Sequence, residues 1–202
     1  MTEPDGKIAT NAGPEKLKST QSYVLPMNEP QAIEQRVGEA LQERNERIAV
    51  AESLTGGLIG ARLTATPGAS DYFDRGQVTY AYDAKRDVLA VSRESLDEYG
   101  AVSAPVAREM AQGVRDRAGT DWGVSATGIA GPGGGSDGKP VGLTYIGIAY
   151  AAPWGSEDSF TRAKRFVFDG DRDAVREASV TTALEELMSD LKSITSEVEN
   201  ES

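Results

Sequence analysis

Ile48-Ala49-Val50-Ala51-Glu52-Ser53-Leu54-Thr55-Gly56-Gly57-Leu58-Ile59-Gly60-Ala61-Arg62-Leu63 reads as a buried strand, a turn and the start of a helix. The apolar run at 48–51 supplies the strand, and Leu58-Ile59-Gly60-Ala61-Arg62-Leu63 opens the helix. A serine hydroxyl therefore sits at a strand-to-helix turn beside two glycines. At such a turn backbone N–H groups point at whatever lies in front of the helix. That combination can hold a nucleophile and stabilise the negative charge its attack creates.

Outward from this stretch, helices and strands alternate. Asn28-Glu29-Pro30 has the form of a helix start, and Ile33, Val37, Ala40 and Leu41 supply an apolar stripe at helical spacing. Thr66-Pro67-Gly68-Ala69 ends the helix after the turn. A strand is expected at 76–82, short helices at 84–89 and 92–99, and a longer helix opened by Ser103-Ala104-Pro105 and closed by Gly119. Strands follow at 122–127, 141–150 and 164–168. A last helix begins near Asp171 and buries Val175, Leu184, Leu187 and Leu191. This alternation defines a layered α/β domain. The consecutive strands after 122 should pair antiparallel. The expected class is thus a three-layer α/β/α domain with a mixed β-sheet, filling residues 29–192. Residues 1–28 are polar and lack periodicity, so a loosely ordered tail is expected there, and an acidic, frayed end at 193–202.

Two absences constrain the chemistry. The 202 residues include no cysteine and no histidine. Disulfides, thiol catalysis, the Ser-His-Asp triad and His-based zinc sites are excluded. Acid–base chemistry near neutral pH must come from Lys, Tyr, Asp or Glu with shifted pKa values. The formal net charge of −11 opposes nucleic-acid binding, which needs basic patches. The acids are spread along the chain, which fits a solubilising surface or one adapted to high salt. No apolar run nears the roughly 18 residues of a membrane span, and the N-terminus has no apolar secretory core. A soluble, cytoplasmic protein without membrane or nucleic-acid partners is the expectation.

The loop Gly128-Ile129-Ala130-Gly131-Pro132-Gly133-Gly134-Gly135-Ser136-Asp137-Gly138-Lys139-Pro140 imitates two nucleotide motifs. Gly133 to Lys139 matches the start of G-x-x-x-x-G-K-[ST], but Pro140 stands where a magnesium-binding hydroxyl is needed. A strand follows instead of a helix, so the phosphate-binding helix N-terminus is missing. The dinucleotide pattern at Gly133, Gly135 and Gly138 fails for the same reason. The loop is then a glycine-turned hairpin or one whose backbone N–H groups approach a ligand closely. Its length and its place after a buried strand favour the ligand loop. A metal loop around Asp137 lacks nearby carboxylates.

Without histidine, Ser53 needs another base. A desolvated lysine serves, because burial lowers its pKa toward neutrality. Lys85 is the candidate, and Tyr80 lies on the preceding strand, where its hydroxyl could relay the proton. Tyr82 would share that strand face. Each residue also has a plain structural reading. Ser53 fits a helix N-cap, Tyr80 a core ring, and Lys85 a solvated helix residue.

A set of motifs narrows the choice. Ala51-Glu52-Ser53-Leu54-Thr55-Gly56-Gly57 is followed by Pro67-Gly68-Ala69-Ser70, Tyr72-Phe73-Asp74-Arg75-Gly76 and Val78-Thr79-Tyr80. Then come Lys85, Gly100-Ala101-Val102-Ser103, Gly128-Ile129-Ala130-Gly131-Pro132 and Lys139-Pro140-Val141-Gly142. In this order they closely resemble the CinA C-terminal domain family, that of the PncC-type nicotinamide-nucleotide amidases, over roughly residues 30–192. Two departures are Tyr82, where family members would carry Asn, and Thr127, where many carry Ser. The resemblance implies hydrolysis of the carboxamide of nicotinamide mononucleotide to nicotinate mononucleotide and ammonia, within pyridine-nucleotide salvage. It implies a catalytic set of Ser53, Tyr80 and Lys85, with no metal and no cofactor. Backbone N–H groups at Thr55, Gly56 and Gly57 would hold the oxyanion. Thr127, Gly128, Gly131 and Gly133, or the helix start after Gly57, would receive the nucleotide, its phosphate included. Arg75 is either a phosphate contact or an exposed ion pair. The family's larger members carry a second, molybdopterin-related N-terminal domain, so a stand-alone amidase is expected here, as a monomer or homodimer. The alternative is a catalytically silent nucleotide-binding or competence- and DNA-damage-related regulatory module.

Overall fold

A computed structural model describes residues 31–200, with side chains through Ile194. The tail expected at 1–28 and the Asn28-Glu29-Pro30 helix start lie outside the described residues. In chain order the elements are α1 (Ile33–Arg44), β1 (Ile48–Glu52), α2 (Leu58–Thr64), β2 (Phe73–Val78), α3 (Tyr82–Leu89), α4 (Arg93–Tyr99) and α5 (Ala104–Ala118). They continue with β3 (Trp122–Gly128), β4 (Leu143–Tyr150), β5 (Phe160–Val167) and α6 (Arg172–Asn200).

The strands form one sheet in the order β2-β1-β3-β4-β5. β1 lies between β2 and β3 and runs parallel to both, while β4 and β5 pair antiparallel. The sheet is therefore mixed, as expected. β1 is buried along its whole length and divides its side chains between two cores. Ile48 and Val50 join α1, α2 and α6 on one face. Ala49 and Ala51 join Leu89, Leu96, Val106 and Met110 of α3, α4 and α5 on the other. The period-2 alternation of a strand thus builds both outer layers of the α/β/α arrangement.

Small residues on the sheet bring α5 close. The Ser125 hydroxyl donates to the Ala107 carbonyl at 2.6 Å. A Cβ added at Gly147 would stand 2.3 Å from that same carbonyl oxygen, and one at Gly123 would stand 2.1 Å from the Ala111 oxygen. Ser103 caps α5, accepting from the Val106 N–H, and Gly119 ends it in the left-handed region.

Several boundaries differ from the sequence expectation. The strand expected at 76–82 stops at Val78, and Tyr82 is instead the first residue of α3. β5 begins at Phe160 rather than 164, because as an edge strand it tolerates charged residues such as Arg162 and Lys164. α6 runs from Arg172 to Asn200.

The connection after β1 passes through α2 on one face of the sheet. That after β2 passes through α3, α4 and α5 on the other. Two adjacent parallel strands whose connections diverge in this way leave a crevice at their carboxyl ends, the usual ligand position in open α/β sheets.

Candidate active site

Ser53 follows β1 at this crevice, its N–H donating to the Ala126 carbonyl at 2.9 Å. The segment after β2 carries Thr79 and Tyr80, and α3 then turns Lys85 back toward the strand ends. Lys85 is fully buried. Its Nζ lies 3.1 Å from Ser53 Oγ, 2.6 Å from the Thr79 carbonyl oxygen and 3.3 Å from the Tyr80 carbonyl oxygen. Burial pushes the amine down from 10.5 to about 8.

The geometry has a chemical consequence. An ammonium donates three hydrogens, one to each neighbour. A neutral amine donates only two, which the carbonyls of Thr79 and Tyr80 accept. Its lone pair then faces the Ser53 hydroxyl. The two main-chain oxygens thus orient the amine toward the serine hydroxyl.

Tyr80 enters by a different route from the one expected. Lys85 contacts Ser53 directly, with no hydroxyl between them. The Tyr80 side chain is 64% exposed, and its contribution to the pair is the backbone carbonyl. Tyr82 does not share a strand face with it. Tyr82 opens α3, and its hydroxyl accepts from the Ala101 N–H at 3.2 Å.

The turn after Ser53 is also wired differently. Gly57 is the N-cap of α2 with φ 100, a conformation that suits glycine. Its N–H donates to Glu52 Oε2 at 2.8 Å rather than pointing into the crevice. The Ile59 and Gly60 N–H groups donate to the same carboxylate at 3.1 and 2.9 Å. The α2 start is therefore closed to a substrate phosphate. It is occupied by the buried carboxyl group of Glu52. Of the three residues expected at the oxyanion, Thr55 and Gly56 keep N–H groups without an acceptor among the described residues.

Arg75 is not at the site. It pairs with Asp74 on the exposed edge strand and aligns with Ala49, four residues before Ser53. At roughly 3.3 Å per residue that is about 13 Å along the sheet. Thr127 is buried beside β1, and its hydroxyl donates to the Ala101 carbonyl at 2.7 Å. At Gly128 an added Cβ would meet the Leu143 oxygen at 2.5 Å and Leu54 at 2.9 Å, so this glycine lets the loop base pack on the nucleophile turn. Gly131 has φ 83, and its carbonyl accepts from Arg172 at 2.9 Å. Gly133 lies in the exposed loop.

Sequence reading missed two cations. Arg176 donates through Nε to the Leu54 carbonyl at 3.2 Å and through Nη2 to the Thr55 carbonyl at 3.0 Å. Arg172, one turn earlier on α6, holds the 128–140 loop. The i, i+4 spacing places both on one helix face, a signal present in the sequence. Nothing local says that this face meets the serine turn. The buried hydroxyls of Thr55 and Thr79 also have no partner among the described residues. A cavity of about 500 Å³ lined by Arg44, Glu46, Tyr150 and Phe160 lies at the opposite end of the sheet. Its Glu46 is already engaged by Arg44 and Trp122, so it is not the seat of this chemistry.

A buried lysine thus faces a serine at the carboxyl ends of parallel strands in an α/β/α domain. Residues 30–191 match the model of the CinA C-terminal domain, and the chain belongs to this family. It is 50% identical over 151 residues to a CinA-like protein of Rippkaea orientalis, covering 75% of this chain and 35% of that protein. It is 43% identical over 162 residues to a putative competence-damage inducible protein of Clostridium perfringens, covering 80% of this chain and 38% of that one. The chain thus spans little more than a third of the length of these curated relatives. A crystal structure of a competence/damage-inducible protein from Agrobacterium tumefaciens superposes with a TM-score of 0.73 at 40% identity, covering 81% of this chain and 97% of that one. Among the described residues no helix is long and apolar enough to cross a membrane.

Proposed function

We propose that this protein is an amidohydrolase that converts nicotinamide mononucleotide to nicotinate mononucleotide and ammonia, with Ser53 as nucleophile and Lys85 as base. The observation that carries the reading is the 3.1 Å approach of the buried Lys85 amine to Ser53 Oγ. The motif resemblance supplies the substrate.

Neutral Lys85 accepts the Ser53 hydroxyl proton as Oγ attacks the carboxamide carbon. The Thr55 and Gly56 N–H groups receive the oxyanion, each worth roughly 3 kcal/mol of transition-state stabilisation. The Lys85 ammonium then protonates the departing nitrogen, which leaves as ammonia, and a serine ester remains. Water attacks the ester carbon and gives its proton to Lys85. The acid is released as that proton returns to Ser53 Oγ, and it loses its remaining proton to solvent to become the carboxylate. Arg172 and the loop it holds offer positive charge and backbone donors to the nucleotide phosphate. Arg176 holds the carbonyls of the nucleophile turn. No step calls on a metal, a cofactor or a histidine.

The test is a screen of amide-bearing nucleotides with purified protein and a chelator, reading ammonia release and product mass. Ammonia and the corresponding acid from nicotinamide mononucleotide are expected. Saturable binding of pyridine nucleotides without ammonia release would favour a silent binding module and end the proposal.

A further inference from the structure

We propose that Glu52 is the positioning residue of the serine–lysine pair, fixing Ser53 Oγ relative to Lys85 Nζ. The inference rests on the proposed nucleophilic role of Ser53. Glu52 is fully buried, the last residue of β1 and the immediate neighbour of Ser53. Its side chain ties down the far side of the nucleophile turn. Oε2 accepts from the N–H groups of Gly57 and Ile59, and Oε1 from that of Gly60. Its main chain ties down the lysine side. The Glu52 carbonyl accepts from the Thr79 N–H at 2.8 Å, and the Thr79 carbonyl accepts from Lys85 Nζ at 2.6 Å. One residue therefore anchors both arms of the pair, and a closed ring runs Glu52, Thr79, Lys85, Ser53. Gly57 offers no side chain to cap α2, so among the described residues the carboxylate is the only side-chain group accepting from the N–H groups at that end. Burying a carboxylate is costly unless it is fully hydrogen-bonded. A mere helix cap is supplied more cheaply by a serine or threonine.

Glutamine at this position keeps the size but not the pattern. Its amide nitrogen accepts nothing, so one or two of the three bonds are lost and an N–H faces an N–H. The test compares Glu52→Gln with the native protein and with Val37→Ala, a core truncation on α1, all normalised to the folded fraction by circular dichroism. The first reading is the rate at which a fluorophosphonate labels Ser53, which needs no knowledge of the substrate. The second is kcat and KM for nicotinamide mononucleotide. Glu52→Gln is expected to slow labelling and kcat together by about tenfold or more, with KM within about threefold and Val37→Ala near native. Equal labelling rates for Glu52→Gln and Val37→Ala would overturn the positioning role while leaving Ser53 a nucleophile. A native protein that does not label at Ser53 would instead remove the nucleophile assignment itself. If Glu52→Gln does not fold, Glu52→Asp is read in the same way. If neither folds, Glu52 is a folding determinant and the positioning role is withdrawn.

Discussion

Burial lowers the Lys85 amine to about 8 from an ordinary 10.5, and both stability and activity carry the sign of that shift. Between these values the unfolded chain still holds the proton that the folded chain has released. The unfolded state then binds more protons, so raising the pH through this window stabilises the fold. Below about 8 both states hold the proton, and the folded state bears the full cost of a buried charge. Lys85→Met removes that cost. Its melting temperature should exceed the native value at pH 7, and the difference should shrink as the pH rises above 8. A difference independent of pH between 7 and 10 would refute the linkage. The same variant should lose about a hundredfold or more in kcat, because a positioned base is worth that much. In the native protein, kcat/KM for the proposed reaction should climb with pH to a half-maximum near 8, where Lys85 becomes neutral. A profile flat from pH 6 to 9 would assign the base elsewhere.

Among the elements, α5 and the sheet approach so closely that no methyl group fits between them at Gly147. Gly147→Ala would drive a methyl group into the Ala107 carbonyl, 2.3 Å away in the native geometry. Helix and sheet must separate, at a cost of about 1–3 kcal/mol. A lowered urea midpoint with kcat per folded molecule within about twofold is expected, since Gly147 pairs with Ser125, in the middle of β3. An unchanged midpoint would show that α5 yields without cost. The elements also show what the sequence could disclose. β1 and the turn were legible because a short apolar run followed by a Gly-Gly pair has few alternatives. The end of β2 was not. Val78-Thr79-Tyr80-Ala81-Tyr82 favours a strand locally, yet Ala81 is extended as the α3 N-cap and the helix takes Tyr82. That shift moved the Tyr80 hydroxyl away from the expected relay and put its carbonyl on Lys85 instead. The grip of Glu52 on α2 and the contact of Arg176 with the serine turn are tertiary. They join residues through a fold that no local pattern encodes.

On the scale of the whole molecule, a net charge of −11 makes the folded state self-repelling at low ionic strength. Salt screens that repulsion over about 10 Å at 0.1 M. The melting temperature should therefore rise as sodium chloride is added from about 0.05 to 0.5 M, with most of the gain at the low end. A fall would mean that attractive ion pairs such as Arg62–Glu177 outweigh the repulsion. The α/β/α architecture was legible as a whole, because each layer needs only a periodic apolar face. The Ser53–Lys85 contact was legible as residue types, since the absence of histidine leaves few bases for a serine. Which backbone groups orient that base was not, because β1 and α3 meet only in the folded chain. The most direct measurement of the Ser53–Lys85 pairing is ammonia release from nicotinamide mononucleotide by folded Ser53→Ala beside the native protein. A fall in kcat of about a thousandfold or more is expected, and a rate within about threefold of native would contradict it.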